Sequence, residues 1–301
     1  MSRILIALGG NALGSDYLEQ QALIKEASRE LIKIFEDNEV VICHGNGPQV
    51  GMITKALAND KIEMPLDCCT AMSEGYIGFH IQREVKETLK ENNIDRDIVT
   101  LVTEVLVDEN DASFKNPTKP IGKFYTKEEA DVLAKESGDT YVEDAGRGYR
   151  KVVASPKPKD ISNVKAIETL VKEGIIVIAV GGGGVPTINN DDATKVEAVI
   201  DKDLASSLLA EKLNCDKFII LTAVPQVCIN FGMKDEKALD SISIAEAKKY
   251  IEDNEFKKGS MLPKVEAAIS FVEKTGKEAI ITSLANIKGI IDNKDITVVH
   301  K

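Results

Sequence analysis

Glycines and lysines carry the chemistry on offer in this sequence. Three glycine clusters each follow a short apolar run. They are Gly9-Gly10-Asn11 after residues 4–8, His44-Gly45-Asn46-Gly47-Pro48 after residues 39–43, and Gly181-Gly182-Gly183-Gly184 after residues 175–180. Glycine has no Cβ, so backbone N–H groups on such a loop can approach a ligand closely. A helix N-terminus behind the loop favours an anion. Three such loops suit a ligand with several anionic groups, such as a nucleotide. Three lysines stand where they could neutralise those groups: Lys202 between Asp201 and Asp203, Lys264 after Gly259-Ser260-Met261-Leu262-Pro263, and Lys119 in Pro117-Thr118-Lys119-Pro120. Phosphoryl transfer asks mainly for positioning and for positive charge around the moving group. Singly, each lysine also fits a solvated surface position, and Asp203 also fits a plain helix-dipole residue.

The common phosphate motifs are missing. Gly122-Lys123 is followed by Phe124, with Pro117 where a P-loop needs its first glycine, and Gly45-x-Gly47 meets its next glycine one residue late for a dinucleotide fingerprint. His44, His80 and His300 form no triad with a nucleophile, which disfavours covalent catalysis. Cys43, Cys68, Cys69, Cys215 and Cys228 are an odd set without C-x-x-C spacing, read as reduced thiols of a cytoplasmic protein.

Alternating strands and helices would position these loops. A helix is predicted over 17–37, a strand over 39–43, and a helix after Pro48, whose missing N–H suits a first turn. Next come a long helix over 73–92 capped by Ser73 and a strand over 98–107. From 111 to 159 turn-rich polar stretches interrupt the alternation around a short helix at 126–136, an excursion that reads as a lid or arm. Helices over 161–173, 201–213, 244–251 and 263–274 then alternate with strands over 175–180, 217–224, 227–231, 278–282 and 296–300. Such alternation implies a mostly parallel sheet with binding at the carboxyl ends of its strands.

The 301 residues, 43% hydrophobic, suffice for one large domain or two smaller ones, and 5% aromatics without tryptophan make the core aliphatic. A net charge of −11 with no basic stripe argues against nucleic-acid binding and leaves an anionic substrate to be gathered by local lysines. There is no signal-peptide pattern and no apolar stretch near the ~20 residues that span a bilayer, so no membrane partner is expected.

In combination the motifs resemble carbamate kinase, of the amino acid kinase superfamily. Ala7-Leu8-Gly9-Gly10-Asn11-Ala12 and His44-Gly45-Asn46-Gly47-Pro48-Gln49-Val50-Gly51 open the resemblance. It continues through Asn116-Pro117-Thr118-Lys119-Pro120-Ile121-Gly122, Glu143-Asp144-Ala145-Gly146-Arg147-Gly148, the four glycines, Asp201-Lys202-Asp203 and Gly259-Ser260-Met261-Leu262-Pro263-Lys264, in order along nearly the whole chain.

The resemblance implies an α/β fold, an open three-layer αβα sandwich around a central, mostly parallel eight-stranded sheet with a protruding lid subdomain. One domain would span 1–301, with the lid at about 111–159 in the N-terminal, substrate half and the nucleotide half at about 175–301. The implied reaction is ATP + carbamate ⇌ ADP + carbamoyl phosphate, run towards ATP in arginine catabolism by a cytoplasmic homodimer, with Mg2+ carried by the nucleotide. Lys202 and Lys264 would neutralise phosphoryl oxygens, Asp203 would hold both ammonium groups, and Lys119 would reach down from the lid. Gly9, Gly10, Asn11, Gly45, Asn46 and Gly47 would bind the carbamoyl group, and Gly181, Gly182, Ala223, Val227, Met261 and Lys264 the nucleotide. Sibling kinases such as acetylglutamate kinase carry a first-strand lysine where this chain has Ile6-Ala7-Leu8, and Lys202 is the natural substitute. Thr70, Glu74 and the run 221–227 depart from the family's usual pattern, which bears on nucleotide preference and affinity.

Overall fold

A computed structural model describes residues 1–9, 13, 17–59, 62, 64–144, 146–188, 196–292 and 294–301. The first half runs β1 (Arg3–Leu8), α1 (Tyr17–Glu30), α2 (Ile32–Asp37), β2 (Glu39–His44), α3 (Gly47–Asn59), α4 (Leu66–Glu91), β3 (Ile98–Thr100) and β4 (Glu104–Val107). The middle holds β5 (Lys119–Tyr125), α5 (Lys127–Ser137), β6 (Thr140–Glu143), β7 (Tyr149–Val153) and β8 (Pro158–Ile161). After α6 (Val164–Lys172) come β9 (Ile176–Ile178), β10 (Val185–Thr187), α7 (Lys202–Lys212), β11 (Lys217–Thr222), β12 (Val227–Ile229), β13 (Lys237–Leu239) and β14 (Ser241–Ser243). The chain closes with α8 (Ile244–Glu252), α9 (Met261–Thr275), β15 (Ala279–Ser283), α10 (Ile287–Asp292) and β16 (Thr297–His300).

The main sheet has eight strands in the order β14-β16-β15-β11-β1-β2-β9-β3. Every pair is parallel except β15 with β16. Side chains of a strand alternate between faces, so a strand covered on both sides reads as one apolar run. In β1, Leu5 and Ala7 enter a core shared with α6, α7, α8 and α9. Ile4, Ile6 and Leu8 enter the opposite core, with α1, α2, α4 and α10. The result is the expected helix–sheet–helix sandwich.

Residues 119–153 build a separate antiparallel sheet, β5-β7-β6, with α5 against it. Thr126 and Glu129 close a reciprocal capping box at the start of α5. This unit meets the body where β5 crosses α3. Gly51 and Gly122 approach so closely that a Cβ on Gly51 would overlap the Gly122 backbone, and Val50, Ile121 and Val153 share a small apolar cluster.

Several boundaries differ from the sequence expectation for physical reasons. The long helix begins at Leu66, one turn and more before Ser73, and Ser73 is an interior residue whose hydroxyl donates to Thr70 O at 2.7 Å. Leu66, Cys69, Thr70 and Ser73 are all buried at helical spacing, a face masked in the sequence by small polar residues. The strand expected over 98–107 is two strands in different sheets, because the Thr103 N–H turns away to the Glu74 carboxyl and its hydroxyl to the Val180 N–H. Ile161 ends β8, and α6 starts at Val164 after Asn163 at φ 63°. The helix expected over 17–37 divides at Leu31.

Candidate active site

The carboxyl ends of β1, β2, β9 and β11 meet at the middle of the sheet, and the glycine loops leave from there. Gly9 donates its N–H to Leu221 O at 3.1 Å, and a Cβ there would stand 2.7 Å from that oxygen. Gly10 and Asn11 lie outside the described residues. Gly45 donates to Leu8 O at 3.2 Å, and Gly47 opens α3 with Pro48 in its first turn. The Asn46 amide donates to Ser73 Oγ at 2.8 Å, so the second loop is tied to α4.

The third loop is a tight turn, Gly181–Gly183, packed against the second. A Cβ on Gly181 would overlap the His44 ring and a Cβ on Gly182 the Asn46 amide. The turn is entered through Val180 at φ 55°, ψ 38°. A β-branched residue in that region is a strained backbone that the surroundings must impose. Here they do so by burying Val180 fully and by the Thr103 hydroxyl, which accepts the Val180 N–H at 3.1 Å.

Three lysines converge from different elements. Asp201 caps α7, its Oδ1 accepting the Asp203 N–H at 2.9 Å, while its Oδ2 accepts from Lys119 Nζ of β5 at 2.7 Å. One turn of α7 and the first turn of α9 make the rest. Lys202 pairs with Asp203 Oδ1, and Lys264 Nζ stands 3.0 Å from Asp203 Oδ2 and donates to Ser260 O at 3.3 Å. The Asp203 side chain is 3% exposed, those of Lys202 and Lys264 12% and 13%. Burial alone would raise the Asp203 carboxyl, but the Lys202 and Lys264 ammonium groups overcome it and hold it at about 2. Burial lowers the Lys202 ammonium from its ordinary value, with Asp203 opposing. Three ammonium groups against two carboxylates, at the N-termini of α7 and α9, make a pocket of positive potential.

The remaining candidates are dispersed. Ala223 is an exposed residue just past β11. Val227 is fully buried in the core, its N–H on Thr297 Oγ1 at 2.8 Å. Met261 is half-buried at the head of α9. Asp201 was not singled out for a role by the sequence reading, although its position before Lys202 is the usual place of a capping aspartate. The Cys43 thiol is pushed up to about 12 by burial, so no thiolate nucleophile forms there near neutral pH. All five cysteines are free. A cavity of about 1290 Å3 lies away from the lysines, between α3, α4 and the 119–153 unit, with Tyr17, Met52, Tyr76, Tyr125, Val132 and Tyr141 on its walls.

Known proteins resemble this chain in sequence and fold. The profile of the amino acid kinase family matches residues 2–283. The chain is 51% identical over 303 residues to carbamate kinase 2 of Staphylococcus epidermidis, with 98% of each chain covered. It is 49% identical to carbamate kinase of Clostridium perfringens, with 99% of this chain and 100% of that one covered. The structure of carbamate kinase from Giardia lamblia bound to AMP-PNP is similar at a TM-score of 0.90 and 43% identity, covering 100% of this chain and 98% of that one. A phosphotransferase, the chain belongs to the amino acid kinase family and, within it, to the carbamate kinases.

Proposed function

We propose that the protein transfers a phosphoryl group reversibly between ATP and carbamate, ATP + carbamate ⇌ ADP + carbamoyl phosphate, and runs towards ATP during arginine catabolism by the deiminase route. The observation that carries the reading is the single buried carboxylate of Asp203 holding two ammonium groups, Lys202 and Lys264, beside the glycine loops. The moving phosphoryl group spreads negative charge over its equatorial oxygens, and fixed cations there stabilise the transition state without reorganising. Lys202 and Lys264 fill that role, and Asp203 keeps both in place between turnovers. The loops at Gly9, Gly10 and Asn11 and at Gly45, Asn46 and Gly47 hold the carbamoyl end; the Gly9 and Gly45 N–H groups are donated to Leu221 O and Leu8 O, so these two glycines act by letting the backbone approach closely. Lys119 comes from the unit at 119–153, which we assign, with its flanks to about 111 and 159, as a lid over the small substrate. The nucleotide lies over the C-terminal half, along Gly181, Gly182, Ala223, Met261 and Lys264; Val227, buried in the core with its N–H on Thr297 Oγ1, does not line it.

Among the described residues no group of three or more His, Cys, Asp or Glu side chains is set to hold a metal ion. Asp201 and Asp203 are engaged with lysines. Those residues fit a Mg2+ held by the nucleotide's phosphate oxygens and water, which is how this ion usually enters such sites. When bound, it would neutralise charge on the diphosphate. A homodimer fits the exposed Phe79, Met72 and Val102 around α4 and the end of β3, an outer strand of the main sheet. Among the described residues no helix is long and apolar enough to cross a membrane.

The test is ATP formation from carbamoyl phosphate and MgADP, with Lys264→Ala in parallel. Wild type producing ATP, with turnover lower by roughly 100-fold or more in the variant, supports reaction and site together. A folded wild type that makes no ATP rejects the reaction. A variant with near-normal turnover removes Lys264 from it.

A further inference from the structure

Behind the lysine cluster lies a second set of buried polar groups to which the proposed reaction assigns nothing. His44 ends β2 and is 1% exposed; Glu74 sits on α4 and is also 1% exposed. His44 Nδ1 lies 2.9 Å from Gly45 O, an oxygen that can only accept, so Nδ1 carries the proton. Its Nε2 is then a bare acceptor, buried and without a partner. Glu74 Oε2 accepts the Thr103 N–H at 2.9 Å, and its Oε1 is likewise buried and unpartnered. Both side chains press on one residue, Gly181, whose missing Cβ would overlap the His44 ring and stand 3.0 Å from Glu74 Cγ.

We propose that Glu74 is a protonated acid whose Oε1–H donates to one buried water, which in turn donates to His44 Nε2, and that this neutral couple is a positioning device for the two turns it touches. A buried acceptor and a buried acid oxygen, each lacking a partner and meeting at one glycine, are satisfied together by a single bridging water. The surroundings keep both neutral. Burial lifts the Glu74 carboxyl well above the ordinary range and lowers the His44 imidazole to about 4. The charged group that bears on the couple is Lys202 of α7, which lowers the His44 imidazole further and belongs to the neighbouring ion-pair cluster.

The consequence is geometric. With Nδ1–H on Gly45 O, His44 fixes the plane of the Gly45–Asn46 peptide, and with it the direction of the Asn46 N–H. On the other side Glu74 holds Thr103, and Thr103 holds Val180 in its strained conformation at the head of the Gly181–Gly183 turn. One acid therefore sets the second and third glycine loops relative to each other. Without its donor, His44 Nε2 is a buried acceptor with no partner, and the ring is held by Gly45 O alone.

The inference on activity rests on the proposed reaction; the tautomer does not. With 15N-labelled protein, His44 is expected as the Nδ1–H tautomer at neutral pH, against the Nε2–H form usual in water. Three histidines, with His80→Gln and His300→Gln for assignment, make the resonances tractable. Glu74→Gln presents an amide that donates to the same water and accepts from Thr103; it should keep the tautomer, and kcat/KM for carbamoyl phosphate within about threefold. Glu74→Leu can do neither. It should move the 15N resonance of Nε2 to that of an unbonded acceptor, with Nδ1 still protonated on Gly45 O, and lower that kcat/KM by about tenfold or more. An Nε2–H or doubly protonated His44 in the wild type overturns the couple, as does Glu74→Gln failing as badly as Glu74→Leu. Should Glu74→Leu not fold, wild type against Glu74→Gln still decides. An inactive wild type with the Nδ1–H signature would reject the reaction and keep the couple.

Discussion

Two buried polar clusters share this site and solve the same problem in opposite ways. Around Asp203, three ionised groups are taken out of water together, and each keeps its charge because a partner of opposite sign is in contact. Around Glu74 and His44, two groups with no counter-ion in contact stay neutral instead. Burying a charge is tolerable only with a partner; without one, the group gives up or refuses its proton. The charged cluster is the one suited to meet a phosphoryl group, and the neutral one is suited to hold backbone.

The comparison breaks most visibly at Lys202. Lys202→Met keeps the volume of the stem and removes the charge, and should lower turnover by roughly 1000-fold with the fold intact by circular dichroism. Turnover near wild type would mean that Lys264 and Lys119 supply all the positive charge needed, and the charged cluster would lose its special standing.

Asp203→Asn tests the same cluster through stability. It leaves the Lys202 and Lys264 ammonium groups buried beside a neutral amide, and removing one partner of a buried ion pair costs about 3–5 kcal/mol. Urea unfolding at pH 7 measures it. The sign with pH follows from the depressed carboxyl. The stabilisation by Asp203 is present above about 4 and is lost as pH falls towards about 2, so the gap between wild type and variant should narrow over that interval. A gap under about 1 kcal/mol at pH 7 would mean that the ammonium groups find water instead.

How much of this was legible beforehand follows the same division. Lys202, Asp203 and Lys264 stood out because charged residues beside glycine and proline at a helix start are unusual, and the structure does bring them together. The sheet was legible for a related reason. Runs such as residues 4–8 and 218–221 are apolar on both faces, a pattern that fits a covered parallel strand. What stayed hidden were contacts between distant, individually ordinary residues. Ser73 reads as a cap and is instead the partner of Asn46. Thr103 sits inside an apolar run and ends it by turning its N–H to Glu74, 29 residues back. The short strands β12 and β13 pair across a hairpin that the sequence marks only on its first arm. No periodicity reports such pairings, since they depend on where the helices dock.

Glu74→Gln sharpens the neutral side of the comparison without any activity assay. A carboxyl that stays protonated in the folded chain loses its proton in the unfolded one near its ordinary value, so wild-type stability falls as pH rises above about 4.5. His44, depressed to about 4, works the other way and lowers stability as pH falls through 6.5. In the wild type the two trends offset each other between pH 4.5 and 6.5. In Glu74→Gln only the His44 trend remains, so the variant should gain on the wild type by about 1.4 kcal/mol per pH unit until the folded Glu74 titrates. A pH-independent difference would mean that Glu74 is ionised in the fold, and the contrast with Asp203 would fail.

The smallest expected effect isolates the link from the neutral couple to the glycine turn. The Thr103 hydroxyl accepts the N–H of Val180, a buried bond, and donates to Leu101 O at 3.1 Å. Thr103→Ser keeps both bonds and loses one methyl, whereas Thr103→Val keeps the shape and leaves the Val180 N–H without an acceptor. A buried orphan donor costs about 1–3 kcal/mol, and here it also releases a valine from the left-handed region, a conformation that itself costs about 1–3 kcal/mol to hold. The released turn has somewhere to go, so Thr103→Val should fall short of Thr103→Ser by only about 1–2 kcal/mol in urea unfolding. Amide exchange at 181–184 should speed up in the valine variant alone. If the two variants matched in both measurements, Val180 would be held by packing alone, and the chain of contacts from Glu74 to the turn would end at Thr103.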